Sequence, residues 1–217
     1  MNKDKEMFEK IYENGAIWTE TNPPKELIEL IESGKIKSCK VLDVGCGEGF
    51  YSIYLASKGF DVMGIDISEN AIRIAKENAE KQNLKIKFIP LDVANLDKIK
   101  DKFDFILEWA ILHHITPEQR HIYLNKIKKI LNKEGKYLSI CFNNQNPDFG
   151  SKGNNLRVVP EGAKMPAGTK LYYSSFEDMK QLFEQHFHII ESKLITMTAG
   201  KKEHIGNYFF MEKVVKT

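Results

Sequence analysis

Cysteine is scarce in this chain. Cys39, Cys46 and Cys141 are the only three among 217 residues, and no two of them form a CxxC unit. The pattern argues against a disulfide framework or a zinc site and fits a reducing cytoplasm. Long apolar runs are missing too. No stretch reaches the roughly 18 apolar residues that suggest a membrane-spanning helix. Residues 1–10 are charged where a secretory leader needs an apolar run. Charge of one sign is also lacking. Lys and Arg number 32 against 30 Asp and Glu, a net charge of +2, which argues against nucleic-acid binding through bulk charge. There is no internal repeat and no linker marking a domain boundary. With 42% hydrophobic residues the chain can bury one sizeable core, but it is too short for two independent enzymatic domains. One domain, 1–217, is expected.

Short strand-like runs alternate with helical ones. Pro23 and Pro24 open a helical segment, 25–33, with Leu27, Ile28 and Ile31 on one face and Gly34 as its stop. Strands are expected over 40–44, 61–66, 85–90, 103–108 and 136–142. A glycine-rich turn follows the first strand and leads into a short helix, 51–58. Ser68 suits the N-cap of a helix on which Ile72, Ala75 and Ala79 share a face. Thr116-Pro117-Glu118-Gln119 has the form of a capping box with proline at the first helical position. The helix it opens carries Tyr123, Ile127, Ile130 and Leu131. This alternation implies an α/β fold with a doubly wound, mainly parallel sheet. The end of the chain differs. After a helix opened by Ser174-Ser175-Phe176-Glu177, the runs 188–195 and 207–214 are too close in sequence for a helical crossover, so they should pair antiparallel. Residues 143–172 break the rhythm with Pro147, Pro160, Pro166 and several glycines. A loop this long, at the edge where open α/β sheets bind ligands, reads as a candidate lid.

The segment Asp43-Val44-Gly45-Cys46-Gly47-Glu48-Gly49 ends the first strand. Its glycines let the backbone turn tightly and approach a ligand. The spacing is GxGxG, not the GxGxxG of dinucleotide folds. Asp43, two residues before the first glycine, suits a cationic group such as an α-amine better than a pyrophosphate. Asp66 closes the second strand, where a carboxylate can accept both hydroxyls of a ribose. Asp92 follows the third strand and can accept from an exocyclic amine. Each alone also fits a turn or cap aspartate; three at successive strand ends point to a cofactor.

Together with Gly64-Ile65-Asp66-Ile67-Ser68 and Leu91-Asp92-Val93, this segment resembles the cofactor motifs of class I S-adenosylmethionine-dependent methyltransferases. The resemblance covers residues 40–142 closely and extends through strand order to the C-terminus. It implies a seven-stranded, Rossmann-like sheet with one antiparallel strand near the end of the chain. It implies S-adenosyl-L-methionine as cofactor, S-adenosyl-L-homocysteine as product and no metal. Asp43 and the Gly45 backbone would hold the methionine moiety, with Cys46, Gly47 and Gly49 completing the turn. Asp66 would take the ribose, Ile67 would pack on adenine, and Asp92 with the Val93 amide would read the adenine edge. Glu108 falls where the family places a residue facing the methionine moiety or the acceptor. The chain then divides into a cap (1–38), a cofactor core (39–142), a candidate lid loop (143–172) and a C-terminal helix with its strand pair (173–217).

The acceptor is less legible. Nucleic-acid amino-methylating enzymes carry Asn/Asp-Pro-Pro-aromatic after the fourth strand; here that position reads Glu108-Trp109-Ala110-Ile111. Asn22-Pro23-Pro24-Lys25 mimics the motif, but Lys25 replaces the stacking aromatic. The stretch from Ile11 through Trp18 to Pro24 looks like the cap of thiopurine and thiol methyltransferases and of tellurite-resistance methyltransferases. That implies a small soft nucleophile as acceptor and Trp18 as a lid aromatic, although Trp18 equally fits a residue packing an N-terminal helix on the sheet. His113 is a candidate general base, whereas His114 reads as a loop residue that bonds backbone, and Cys46 as structural. Two other readings stand beside thiol methylation. One is O- or N-methylation of a small metabolite, and the other a cofactor-binding module that regulates a partner without catalysis.

Overall fold

Lys40–Val44 (β1) sends Leu42 and Val44 to one face of a sheet and Val41 to the other, and all three are fully buried. Burial on both faces is the mark of a central parallel strand. The computed structural model describes residues 3–16, 18–163, 165–199 and 202–214. Its helices are α1 (Lys3–Glu13), α2 (Lys25–Glu32), α3 (Phe50–Ser57), α4 (Glu69–Lys81), α5 (Pro117–Ile130) and α6 (Phe176–Glu184). After β1 come β2 (Asp61–Asp66), β3 (Lys87–Pro90), β4 (Phe103–Trp109), β5 (Leu131–Phe142), β6 (Leu156–Val158), β7 (Lys170–Tyr172), β8 (Phe187–Ala199) and β9 (Lys202–Lys213).

Seven of these strands form one sheet in the order β3-β2-β1-β4-β5-β9-β8. The first five run parallel, and β9 is antiparallel to both β5 and β8. The expected sheet with one reversed strand near the C-terminus is therefore present. One face packs on α5 and α6 through Tyr123, Ile127, Met179 and Phe183; the other packs on α2 through Leu27 and Leu30. Full burial of such a side chain contributes about 1.5–3 kcal/mol. The strand order reverses between β1 and β4, so the crevice at their carboxyl ends is the place where doubly wound sheets take ligands.

Several local expectations need correction. The charged N-terminus is a helix, α1, whose Phe8, Ile11 and Tyr12 lie at helical spacing and turn inward. The buried apolar face of α2 is Leu27 with Leu30, while Ile28 is only half-buried. Thr116 makes no side-chain cap, although Pro117 does open α5; the first turn closes instead through Gln119 N–H to Thr116 C=O. β3 begins at Lys87. The span 143–172 is not structureless: β6 and β7 pair within it as a hairpin, and Val159, Leu171 and Tyr173 pack there as a small cluster. The connector expected over 196–206 is largely strand, because β8 and β9 pair up to Ala199 and Lys202. Ser68 does cap α4, accepting from Ala71 N at 3.1 Å.

Candidate active site

Gly45, Gly47 and Gly49 all hold φ between +52° and +82°, a region that L side chains rarely adopt. Their conformations fold the turn after β1 back on β2: the Gly45 and Cys46 amides both donate to Ile65 C=O, at 2.8 and 2.9 Å. The space above each glycine is already committed. A Cβ on Gly45 would lie 2.0 Å from Ile111 Cδ1, and one on Gly47 would lie 2.8 Å from the Tyr12 hydroxyl. Cys46 is half-buried beside Gly64, and burial pushes its thiol well up, so it is no nucleophile.

Asp43 and Asp66 sit side by side at the ends of β1 and β2. Asp43 is 2% exposed and accepts from Ser52 Oγ at 2.7 Å. Burial pushes its carboxyl up to about 7, with the Ser52 hydroxyl pulling the other way and Asp66 adding repulsion. Asp66 accepts from the Gly47 amide at 3.0 Å and the Ser68 amide at 2.9 Å. Burial still raises it to about 6. Asp92 Oδ1 accepts from Ala94 N at 2.8 Å and starts a 3-10 turn, Val93–Lys98. Ile67 and Val93 are half-buried beside these two carboxylates.

Helix α1 lies across this edge. Tyr12 is almost fully buried over Gly47, and Trp18 meets Phe8 and Tyr12 edge to face at 6.3 and 6.2 Å. Phe8 in turn packs edge-on against His114 at 5.2 Å. Trp18 thus sits beside the glycine turn through its contacts with α1, as a residue packing an N-terminal helix would.

At the end of β4 Glu108 lies fully inside the core. It accepts from the Leu112 amide at 2.9 Å, from the hydroxyls of Tyr123 and Tyr137, and from Ser139 Oγ at 3.4 Å. Burial raises its pKa against those bonds. A carboxyl so engaged ties the 3-10 turn Leu112–His114 to the end of β4. His113 is 4% exposed and stacks on Phe142 at 4.5 Å. Burial holds His113 well below the usual imidazole range, with His114, Arg120 and His204 adding to the shift, and burial holds His114 at about 4. Burial disfavours the imidazolium form of both.

Sequence reading missed Tyr12, Ser52 and Ile111. Tyr12 had a signal in the Phe8-Ile11-Tyr12 spacing; the others gain their places through long-range contacts. Among the described residues, no group of three or more His, Cys, Asp or Glu side chains is arranged to hold a metal ion. No helix among them is long and apolar enough to cross a membrane.

The strand order, the glycine turn after β1 and the carboxylates closing β1 and β2 define the class I methyltransferase fold. The chain belongs to the methyltransferase domain family, whose model matches residues 35–186. It is 30% identical over 146 residues to the 2-heptyl-1-hydroxyquinolin-4(1H)-one methyltransferase of Mycobacteroides abscessus, covering 63% of this chain and 64% of that protein. It is 32% identical over 140 residues to the probable S-adenosyl-L-methionine-dependent methyltransferase TehB of Haemophilus influenzae, covering 64% of this chain and 46% of TehB. The matches thus span between about half and two thirds of those relatives' length. Among solved structures, 1,6-didemethyltoxoflavin-N1-methyltransferase of Burkholderia thailandensis, with S-adenosylhomocysteine bound, superposes with a TM-score of 0.76 at 22% identity, covering 97% of this chain and 87% of that one.

Proposed function

We propose that this chain transfers the methyl group of S-adenosyl-L-methionine to a small soft nucleophile, with a thiol as the acceptor. Asp43 carries the cofactor half of the reading. A buried carboxylate pushed up to about 7 is kept ionised by a cationic partner, and an α-ammonium group supplies one. In this reading the Gly45 backbone sits beside that group, Asp66 takes the ribose, Ile67 packs on adenine, and Asp92 with the Val93 amide reads the adenine edge. The bound cofactor supplies a methyl group already activated on a sulfonium. The chain contributes orientation and water exclusion, worth about 7–11 kcal/mol in intramolecular analogues. Trp18 and the span 143–172 are the closing elements.

The acceptor half rests on weak bases. His114, at about 4, and His113, lower than usual, take up a proton poorly at neutral pH, and Glu108 is engaged in the core. An alcohol or amine needs a proton removed. A thiol, with a pKa of about 8.5, ionises with little help. O- or N-methylation of a small metabolite is the second reading, and the Mycobacteroides relative, named as a methyltransferase of 2-heptyl-1-hydroxyquinolin-4(1H)-one, favours it.

The test is S-adenosylhomocysteine formation with sulfide and simple thiols beside phenol, amine and carboxylate acceptors. Turnover confined to sulfur is expected. Turnover confined to phenols would overturn the thiol assignment, and binding of S-adenosylhomocysteine without turnover of any acceptor would favour a regulatory module.

A further inference from the structure

Among the described residues, three buried side-chain nitrogens make no hydrogen bond: His113 Nδ1, His204 Nδ1 and Arg157 Nε. Buried polar atoms are bonded in the large majority of cases, so each orphan calls for a cause. These three come from β9, β6 and the turn after β4, far apart in sequence, yet they surround one pair of rings. Phe142 and Tyr173 meet at 5.3 Å. His113 stacks on Phe142 at 4.5 Å and faces Tyr173 edge-on at 6.0 Å. His204 lies 4.9 Å from Phe142, and the Arg157 guanidinium lies 5.2 Å from the Tyr173 ring centre. His114, which packs against Phe8 of α1, is 4.4 Å from His113, so ring contacts connect this cluster to the helix over the glycine turn.

Arg157 is fully buried. Its Nη atoms donate to the carbonyls of Ser151, Asn144 and Asn146. That stapling accounts for the Nη atoms and leaves Nε unexplained. It also leaves the positive charge on neutral acceptors. Asp148 is turned to other partners, with Oδ2 2.9 Å from His204 Nδ1 and Oδ1 3.6 Å from Lys202 Nζ, so a carboxylate already faces His204 and the two uncommitted nitrogens are His113 Nδ1 and Arg157 Nε. A buried cation beside aromatic faces and spare nitrogens is the chemistry of an anion site.

We propose that His113 and Arg157 form the acceptor subsite and take the acceptor as an aromatic-compatible anion, a thiolate, with the Arg157 Nε–H and His113 Nδ1 as its polar contacts. This rests on the methyl-transfer reading above. The electron pair of the thiolate forms the new sulfur–carbon bond, and the pair of the broken bond stays on the departing sulfur. No proton moves in that step, and the negative charge of the acceptor cancels the positive charge of the sulfonium. A base is therefore unnecessary once the subsite has selected the anion.

Calorimetry on the full chain with S-adenosylhomocysteine present tests this, using thiophenolate against thioanisole, the same ring and sulfur with a methyl group in place of the charge. Thiophenolate should bind at least about tenfold more tightly. Arg157→Gln should erase that preference. Because Arg157 also holds the loop, His113→Phe provides a second arm: it keeps a ring against Phe142, removes Nδ1, and should weaken thiophenolate several-fold while leaving thioanisole unchanged. Equal binding of the two probes to the unaltered protein, or an intact preference in both folded variants, would overturn the subsite. Anion preference without methylation of thiophenolate would leave the subsite standing and defeat the thiol reading. Methylation that is indifferent to Arg157 and His113 would do the reverse.

Discussion

Ser68 donates its hydroxyl to Glu9 Oε2 at 2.8 Å across 59 positions of sequence. The same Glu9 carboxylate accepts from the Glu69 and Asn70 amides at 2.7 and 3.0 Å, so a side chain of α1 occupies the N-terminus of α4. Two adjacent causes hold it there: unpaired amides at a helix start and the positive end of the helix dipole. Burial works to raise the Glu9 pKa, but the bonds from Asn70, Glu69 and Ser68 outweigh it and the pKa is lowered. The docking is therefore complete above the ordinary carboxylate value of 4.5 and is lost as pH falls through the lower folded value. Glu9→Ala should loosen α1 by about 1–2 kcal/mol. Faster amide exchange in residues 3–13 and a changed Trp18 fluorescence would register the release, with Glu9→Gln intermediate. Unchanged exchange would refute the latch.

Asp43 offers a test of the proposed cofactor site. Its folded pKa, about 7, lies above the ordinary value of 3.8. Its contribution is thus fully present below pH 4 and is lost as pH rises toward 7. The charged form costs the cofactor-free fold on the order of 3–4 kcal/mol above that window. Asp43→Asn should raise the melting temperature of the cofactor-free protein at pH 8, leave it nearly unchanged at pH 4, and abolish tight S-adenosylhomocysteine binding. Equal melting shifts at both pH values would contradict the assignment.

Gly49 and Gly153 have nearly the same backbone, φ +82° and +81°, in different surroundings. A Cβ at Gly49 would lie 2.9 Å from Ala75 Cβ and 3.2 Å from its Cα; at Gly153 it would meet open space. Gly49→Ala should cost roughly 2–4 kcal/mol, combining left-handed strain with overpacking against the α4 backbone. Gly153→Ala should cost only the strain, about 1–2 kcal/mol. Urea midpoints of the two variants measure the difference.

Glu108 separates positioning from catalysis. Glu108→Gln keeps an acceptor for the Leu112 amide but turns a donor toward the tyrosine hydroxyls. A loss of about 1–3 kcal/mol in stability is expected, with kcat lowered less than about tenfold. A loss of about 10²–10⁴ in kcat at unchanged stability would instead mark a proton-transferring group.

The β-α alternation, the core strands and the motifs at their ends are legible in the chain before it folds. Those features are written in local periodicity and in residues with special backbone needs, so Val41 to Val44, Ser68 and the glycine turn are readable within a few positions of themselves. Tertiary structure decided the rest. α1 looks solvated in sequence because its polar face is charged; docking Tyr12 over Gly47 and Glu9 on α4 gives it a place. Leu156–Val158 and Lys170–Tyr172 are each three residues long, too short to show a period, and they pair across a turn region. Glu108 is buried and hydrogen-bonded because Tyr123 and Tyr137 reach it from α5 and β5. His113, Arg157 and His204 are brought to one pair of rings by three separate elements, a juxtaposition that depends on the order of strands and not on any spacing along the chain.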